Sequence, residues 1–138
     1  MQLEVALYKL LFLNDVCYTL IMKNYLQVIF YAAVVIIMLA LIPVIANDYA
    51  LAGIYVVFIL SAIVFKKERS DFTFLAVGFF SLILGEYFFV STGVETFNRN
   101  SLFGVMPLWL PLLWSFIFLS MKRVFWLMVR DYWHIQLK

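Results

Sequence analysis

Residues 28–65 read VIFYAAVVIIMLALIPVIANDYALAGIYVVFILSAIVF, two uncharged apolar runs divided at Asn47 and Asp48. The first run, taken as a span over about 26–46, is long enough to cross roughly 30 Å of hydrocarbon as a helix, and the second, 49–65, sits at the lower limit. So short a polar break between them forces an antiparallel helical hairpin.

The whole chain has the character of this stretch. Of its 138 residues 67% are hydrophobic and 13% charged, and the mean hydropathy is +1.04. Soluble domains lie near 45–50% apolar and about 25% charged, and a small water-soluble fold buries too little of its surface to hide such an excess. A bilayer must cover the remainder, so residues 1–138 read as a single membrane domain. The formal charge of +2 is dispersed and gives no footprint for nucleic acid. A single cysteine, Cys17, allows no intramolecular disulfide, and the only histidine, His134, has no cluster of further ligands around it. Neither a metal nor another cofactor is indicated.

Working outward, the cluster KKERSD at 66–71 separates the hairpin from a third span at about 72–94, with Ser70 or Asp71 as its cap. ETFNRNS at 95–101 is a polar loop, and Asn100 or Ser101 is the expected cap of a fourth span at about 102–121. That span contains Pro107 and Pro111 and is closed by Lys122 and Arg123. The tail at 122–138 mixes charge with Trp126, Tyr132 and Trp133, which suits an interfacial helix. At the other end Glu4, Lys9, Asp15 and Lys23 interrupt residues 1–24 too often for a span. Leu3, Leu7, Leu10 and Leu11 recur at helical spacing there, so this segment is either an interfacial amphipathic helix or a lead-in ahead of a start at Met22. It lacks the pattern of a cleavable signal peptide.

The expected fold is therefore all-α, a polytopic four-helix bundle of transmembrane helices with interfacial amphipathic helices at the N- and C-terminal ends. Four spans put Lys9, Lys23, Lys66, Lys67, Arg69, Lys122, Arg123, Arg130 and Lys138 on one side and only Arg99 on the other. The positive-inside rule then predicts a multi-pass protein with both termini cytoplasmic.

One acid lies inside a span: Glu86, in LILGEYFFVSTG at 82–93. A carboxylate at that depth costs a few kcal/mol or more on insertion, as an order of magnitude. Gly78, Ser81, Gly85 and Thr92 form a small-residue stripe at its edge, suited to close helix approach, with Gly93 one heptad along Glu86's own face. In the fourth span Pro111 has no N–H, which predicts that the Pro107 carbonyl is left free. Both features lie at a similar depth below the outer ends of their helices. Glu86 is thus expected opposite the Pro107–Pro111 break with Trp109 or Trp114 nearby, protonated and donating to that carbonyl. It would serve as a proton donor, as a binder of a polar head group, as a contact to another subunit, or as a fixed structural bond. Glu95 and Arg99 form a candidate surface pair of little energetic weight. Asn98 and Asn100 fit a turn better than a head-group site. Ser115 and Ser120 have no His or Lys base nearby in sequence, which disfavours a serine hydrolase.

The segment 85–124, with its acid, Ser91-Thr92-Gly93, Gly104-Val105 and Pro107-Leu108-Trp109-Leu110-Pro111-Leu112-Leu113-Trp114, resembles an uncharacterised family of small bacterial inner-membrane proteins. In that family the last two helices carry an acid, a Gly and a Pro-Leu-Trp motif. The resemblance implies a bacterial cytoplasmic (inner) membrane location and no biochemistry. One hairpin is also similar to membrane-embedded carotenoid hydratases, which implies acid-assisted addition of water to an isoprenoid double bond with Glu86 as the acid.

Two classes of function follow. The first is a non-enzymatic, lipid-binding or complex-assembly subunit whose partners are membrane lipid and a larger membrane complex or homo-oligomer. The second is a membrane-embedded lipid- or isoprenoid-modifying enzyme with Glu86 as catalytic proton donor. A small oligomeric transporter would call for more polar residues inside the spans than Glu86, Ser61, Ser81 and Ser115.

Overall fold

A computed structural model of the chain describes the backbone of residues 2–94 and 96–136 and the side chains over 22–94 and 96–129. Among these residues all regular structure is helical: α1 Gln2–Leu41, α2 Asp48–Phe65, α3 Asp71–Ser91 and α4 Trp109–Gln136. Four stretches are long and apolar enough to cross a membrane: Met22–Leu41, Asp48–Phe65, Asp71–Ser91 and Trp109–Val129. The chain divides into two compact units, Met1–Ala33 and Val34–Lys138.

The first unit is helical from Gln2 onward, and Met22, Tyr25, Leu26, Ile29 and Phe30 are exposed on it. The backbone makes no break between the anticipated interfacial segment and the first span. Residues 2–41 contain neither Gly nor Pro, so nothing in the sequence stops the helix. The side chains of the expected amphipathic pattern, from Leu3 to Leu11, and Cys17 lie outside the described residues.

In the second unit α1 ends at Leu41, short of the expected 46, because Pro43 is near. A proline cannot donate its hydrogen bond and crowds the turn before it, so helices stop ahead of it. Ile42 turns its N–H to the Leu39 carbonyl (3.2 Å), and Val44 and Ile45 donate to Leu41 (3.2 and 3.0 Å). The buried Tyr55 hydroxyl, from α2, donates to the Met38 carbonyl (2.5 Å), adding a donor where the helix runs out of its own. The connection to α2 is thus longer than a bare Asn47-Asp48 turn. Asn47 caps α2, its Oδ1 accepting from the N–H groups of Tyr49 (3.0 Å) and Ala50 (3.3 Å).

Helix α4 is the hub. It packs against both α3 and α2 and is the most buried of the four apolar stretches, whereas α3 is the least. Leu113, Phe116 and Leu119 of α4 and Leu51 and Tyr55 of α2 lie in the core. The anticipated small-residue stripe on α3 is not one surface. Only Gly78 is buried against α4: a Cβ there would stand 3.0 Å from Phe118 Cβ and 3.1 Å from Ser115 Cα. Ser81 and Thr92 are exposed, and a Cβ on Gly85 would meet nothing within 4 Å.

The third helix closes as sequence chemistry dictates. Gly93 takes φ +72°, Val94 donates to the Phe89 carbonyl (3.2 Å) and Gly93 to that of Val90 (3.1 Å), which together form a Schellman motif. The fourth helix starts at Trp109, not near 102. Phe103 (φ 53°) and Gly104 (φ 72°) bend the chain back, so that Leu102 and Met106 pair in an isolated bridge. Neither Asn100 nor Ser101 caps α4 from its N-cap position. Ser101 Oγ instead accepts the Leu108 N–H across the turn (2.9 Å). Downstream, α4 runs unbroken past Lys122 and Arg123, which therefore do not close it.

The two α3 glycines make a paired prediction. Gly78→Ala should destabilise the α3–α4 contact by about 1–3 kcal/mol, the usual cost of overpacking. Gly85→Ala should be neutral or stabilise by up to about 1 kcal/mol through helix propensity. Thermal unfolding of the two variants in one detergent checks the order.

Candidate functional site

The register of α3 against α4 locates Glu86. Asp71 meets Lys122 (2.8 Å), and Gly78 sits on Ser115 and Phe118. Seven residues along α3 thus answer to seven back along α4. The same register continued for eight more residues brings Glu86 level with Pro107 at the start of α4. Glu86 is half-buried, and its Oε2 is out of solvent contact. The local positive end of the α4 backbone dipole lies at that same level.

The Pro107 carbonyl is not left free. Leu110 donates its N–H to that oxygen (3.2 Å), because the first turn of α4 tightens to an i+3 bond where Pro111 withholds the i+4 donor. The Pro111 carbonyl in turn accepts the Ser115 hydroxyl (2.8 Å). Trp109 sets its ring edge-on to Tyr55 of α2, with centroids 6.4 Å apart. Trp114 is exposed and tilts against Phe118 (6.5 Å). Gly93 shapes the end of α3. Of the anticipated group, Pro107 and Pro111 lie on the stretch level with Glu86, while Trp109, Trp114 and Gly93 have other contacts or roles.

The hydroxyls inside the helices are occupied by their own backbone. Ser61 donates to Phe58 (2.8 Å), Ser91 to Phe88 (2.7 Å), Thr92 to Phe89 (2.9 Å) and Ser120 to Phe116 (2.8 Å). Ser81 donates likewise to Val77. Such back-bonding is how a hydroxyl avoids being stranded in an apolar setting.

The densest polar cluster is one that sequence reasoning missed. Midway along α4, Lys122 Nζ binds both Asp71 Oδ1 (2.8 Å) and Glu68 Oε2 (2.7 Å). Arg123 Nη2 binds Asp71 Oδ2 (2.8 Å) and the Lys66 carbonyl (2.5 Å), and its Nη1 binds the Ala62 carbonyl (3.1 Å). Asp71 also accepts the Glu68 N–H (2.9 Å), and the Phe74 ring faces Lys122 Nζ at 5.9 Å. Asp71 is 0% exposed, Arg123 2% and Lys122 4%. Ser70 occupies the N-cap position but makes no side-chain cap, and Asp71 spends its carboxylate on the two cations. Adjacent cations facing two acids across one loop were the available signal. Lys122 beside Glu68 holds that carboxyl below its ordinary range.

At the other end of α2, Arg99 donates to the Ile45 carbonyl (3.1 Å) and reaches Asp48 (3.5 Å). It ties the outer loop to the α1–α2 turn. Glu95, its expected partner, lies outside the described residues, as do the side chains of Tyr132, Trp133 and His134. Among the described residues no group of three His, Cys, Asp or Glu is placed to hold a metal. No protein-family model, curated protein or solved structure matches the chain.

Two predictions concern the ion cluster. Asp71→Asn removes the one buried carboxylate that Lys122 and Arg123 share and should cost about 3–5 kcal/mol, the usual cost of removing one partner of a buried ion pair. Unfolding in detergent measures it, and a variant as stable as the parent contradicts the assignment. The Glu68 carboxyl has a lowered pKa in the fold, so its contribution is present above the ordinary value of 4.5 and lost as pH falls through the lower folded value. Glu68→Gln should therefore flatten the acid limb of the stability profile below that point, and melting temperatures recorded across acidic pH check it.

Proposed function

We propose that the protein is a small multi-pass protein of the cytoplasmic membrane that binds lipid or helps assemble a larger complex, with α3 as its working surface. The observation that carries this reading is the open space over Gly85, beside the half-buried Glu86. There an acyl chain or a partner helix can approach the α3 backbone closely while a polar head reaches the carboxylate. The flanking residues Val77, Phe80, Leu84 and Phe88 are exposed and apolar, a surface that suits hydrocarbon.

The charge distribution supports an orientation with both termini cytoplasmic. Arg99, the one basic residue on the other side, is engaged with Asp48, while Lys67 and Arg69 stand exposed between α2 and α3. Bacterial origin rests on the resemblance of 85–124 alone.

A second reading, a membrane-embedded enzyme acting on a lipid or isoprenoid, is favoured by one feature. Glu86 is the sole acid within the otherwise uncharged run 72–94, and a carboxyl is a side chain able to serve as general acid.

Native mass spectrometry from mild detergent separates the two. For a binding subunit, a retained lipid or stoichiometric partner should be lost on Gly85→Leu, and more weakly on Glu86→Gln. Retention by both variants rejects binding at this surface. A chemically altered lipid found with the parent and absent with Glu86→Gln selects the enzyme.

A further inference from the structure

The start of α4 falls short of the end of α3 along the bundle. The charge cluster at Asp71 and Lys122 joins the first turn of α3 to α4. From there α3 runs from Asp71 to Ser91, about 30 Å at 1.5 Å per residue, which matches the thickness of a hydrocarbon core. Helix α4, traced back from Lys122, ends at Trp109 after only about 20 Å. Its first residue is therefore about 10 Å short of the outer end of α3. The other neighbour agrees: Trp109 meets Tyr55 edge-on, and Tyr55 lies about 10 Å along α2 from its start at Asp48.

We propose that residues 101–108 form a re-entrant loop that dips from the outer surface into the hydrocarbon of the outer leaflet and contacts lipid through Phe103. Non-helical backbone persists at such depth only if its polar groups are satisfied internally or covered by protein. This loop meets part of that demand from within, through the N–H groups of Leu102, Val105, Met106 and Leu108. Leu102 donates to the Met106 carbonyl (2.8 Å), Met106 and Val105 donate to the Leu102 carbonyl (3.3 and 3.0 Å), and Leu108 donates to Ser101 Oγ (2.9 Å). Pro107 has no N–H to satisfy, and Met106 is 2% exposed.

The apex points the same way. Phe103 is held at φ 53°, a region that a bulky side chain occupies at a cost of order 1 kcal/mol. It is 86% exposed and so recovers nothing from contacts inside the protein. An aromatic ring kept in that position finds its compensation outside the chain, and at this depth the surroundings are acyl chains. The loop thus covers the level of Glu86 from the outer side with apolar, self-bonded chain.

The inference rests on the membrane-spanning reading, and the test separates the two. In a Cys17→Ser background, nitroxide labels are placed by Phe103→Cys and, as a lipid-facing reference, by Leu84→Cys at a position 72% exposed on α3. In lipid nanodiscs, collision rates with oxygen, which enters lipid, and with a water-soluble nickel chelate are compared. The expected result is a loss of nickel collisions at 103 that matches the loss at 84, with oxygen collisions retained at both. A label at Val105→Cys provides a second reading should the first disturb the turn. Position 103 meeting nickel several-fold more often than position 84 overturns the re-entrant loop and leaves the spans intact. Nickel reaching position 84 freely overturns the membrane-spanning reading, and the loop with it.

Discussion

The fold of the second unit depends on one buried carboxylate. Asp71 opens α3 with no exposure to solvent and holds Lys122 and Arg123 of α4 at 2.8 Å each. Two cations taken out of water carry a desolvation cost that only well-placed anions and carbonyls can offset. Here Glu68 supplies the second anion, and the carbonyls of Ala62 and Lys66 accept from the Arg123 guanidinium. The end of α2, the 66–70 connection, α3 and α4 are thereby bound at one point. Apolar packing alone specifies helix register weakly, because a slip by one turn replaces one leucine contact with another. An ion cluster with directional bonds tolerates no such slip.

Everything above that point inherits its register. Gly78 meets Ser115 and Phe118 because Asp71 meets Lys122 one heptad below. The same alignment brings Glu86 level with Pro107 and sets the start of α4 well short of the end of α3. The acid in the third helix and the turn ahead of the fourth are thus related through a contact some 20 Å away along the helices.

The apolar spans were legible because a bilayer imposes length and hydrophobicity on them, and those are properties of local sequence. Their ends were less so. Pro43 stops α1 at Leu41, and the bend at Phe103 and Gly104 delays α4 to Trp109. Each depends on how one residue's backbone conformation is resolved by its neighbours. Lys122 and Arg123 resemble the basic flank that commonly ends a span. Only the approach of Glu68 and Asp71 from more than fifty residues away gives them an interior role, and a linear pattern does not contain that pairing. The freed Pro107 carbonyl failed for a related reason: the deduction assumed regular i+4 bonding, whereas the first turn tightens and Leu110 takes the oxygen.

The serine hydroxyls along α2, α3 and α4 are bonded to their own helices, and Lys122 and Arg123 are matched by acids. Arg99 at the outer end is engaged by Asp48 and Ile45. Polar groups so disposed fix structure and leave little to recognise a ligand. Glu86 differs in position, since it lies on the least buried of the four apolar stretches, next to a glycine with clear space above it.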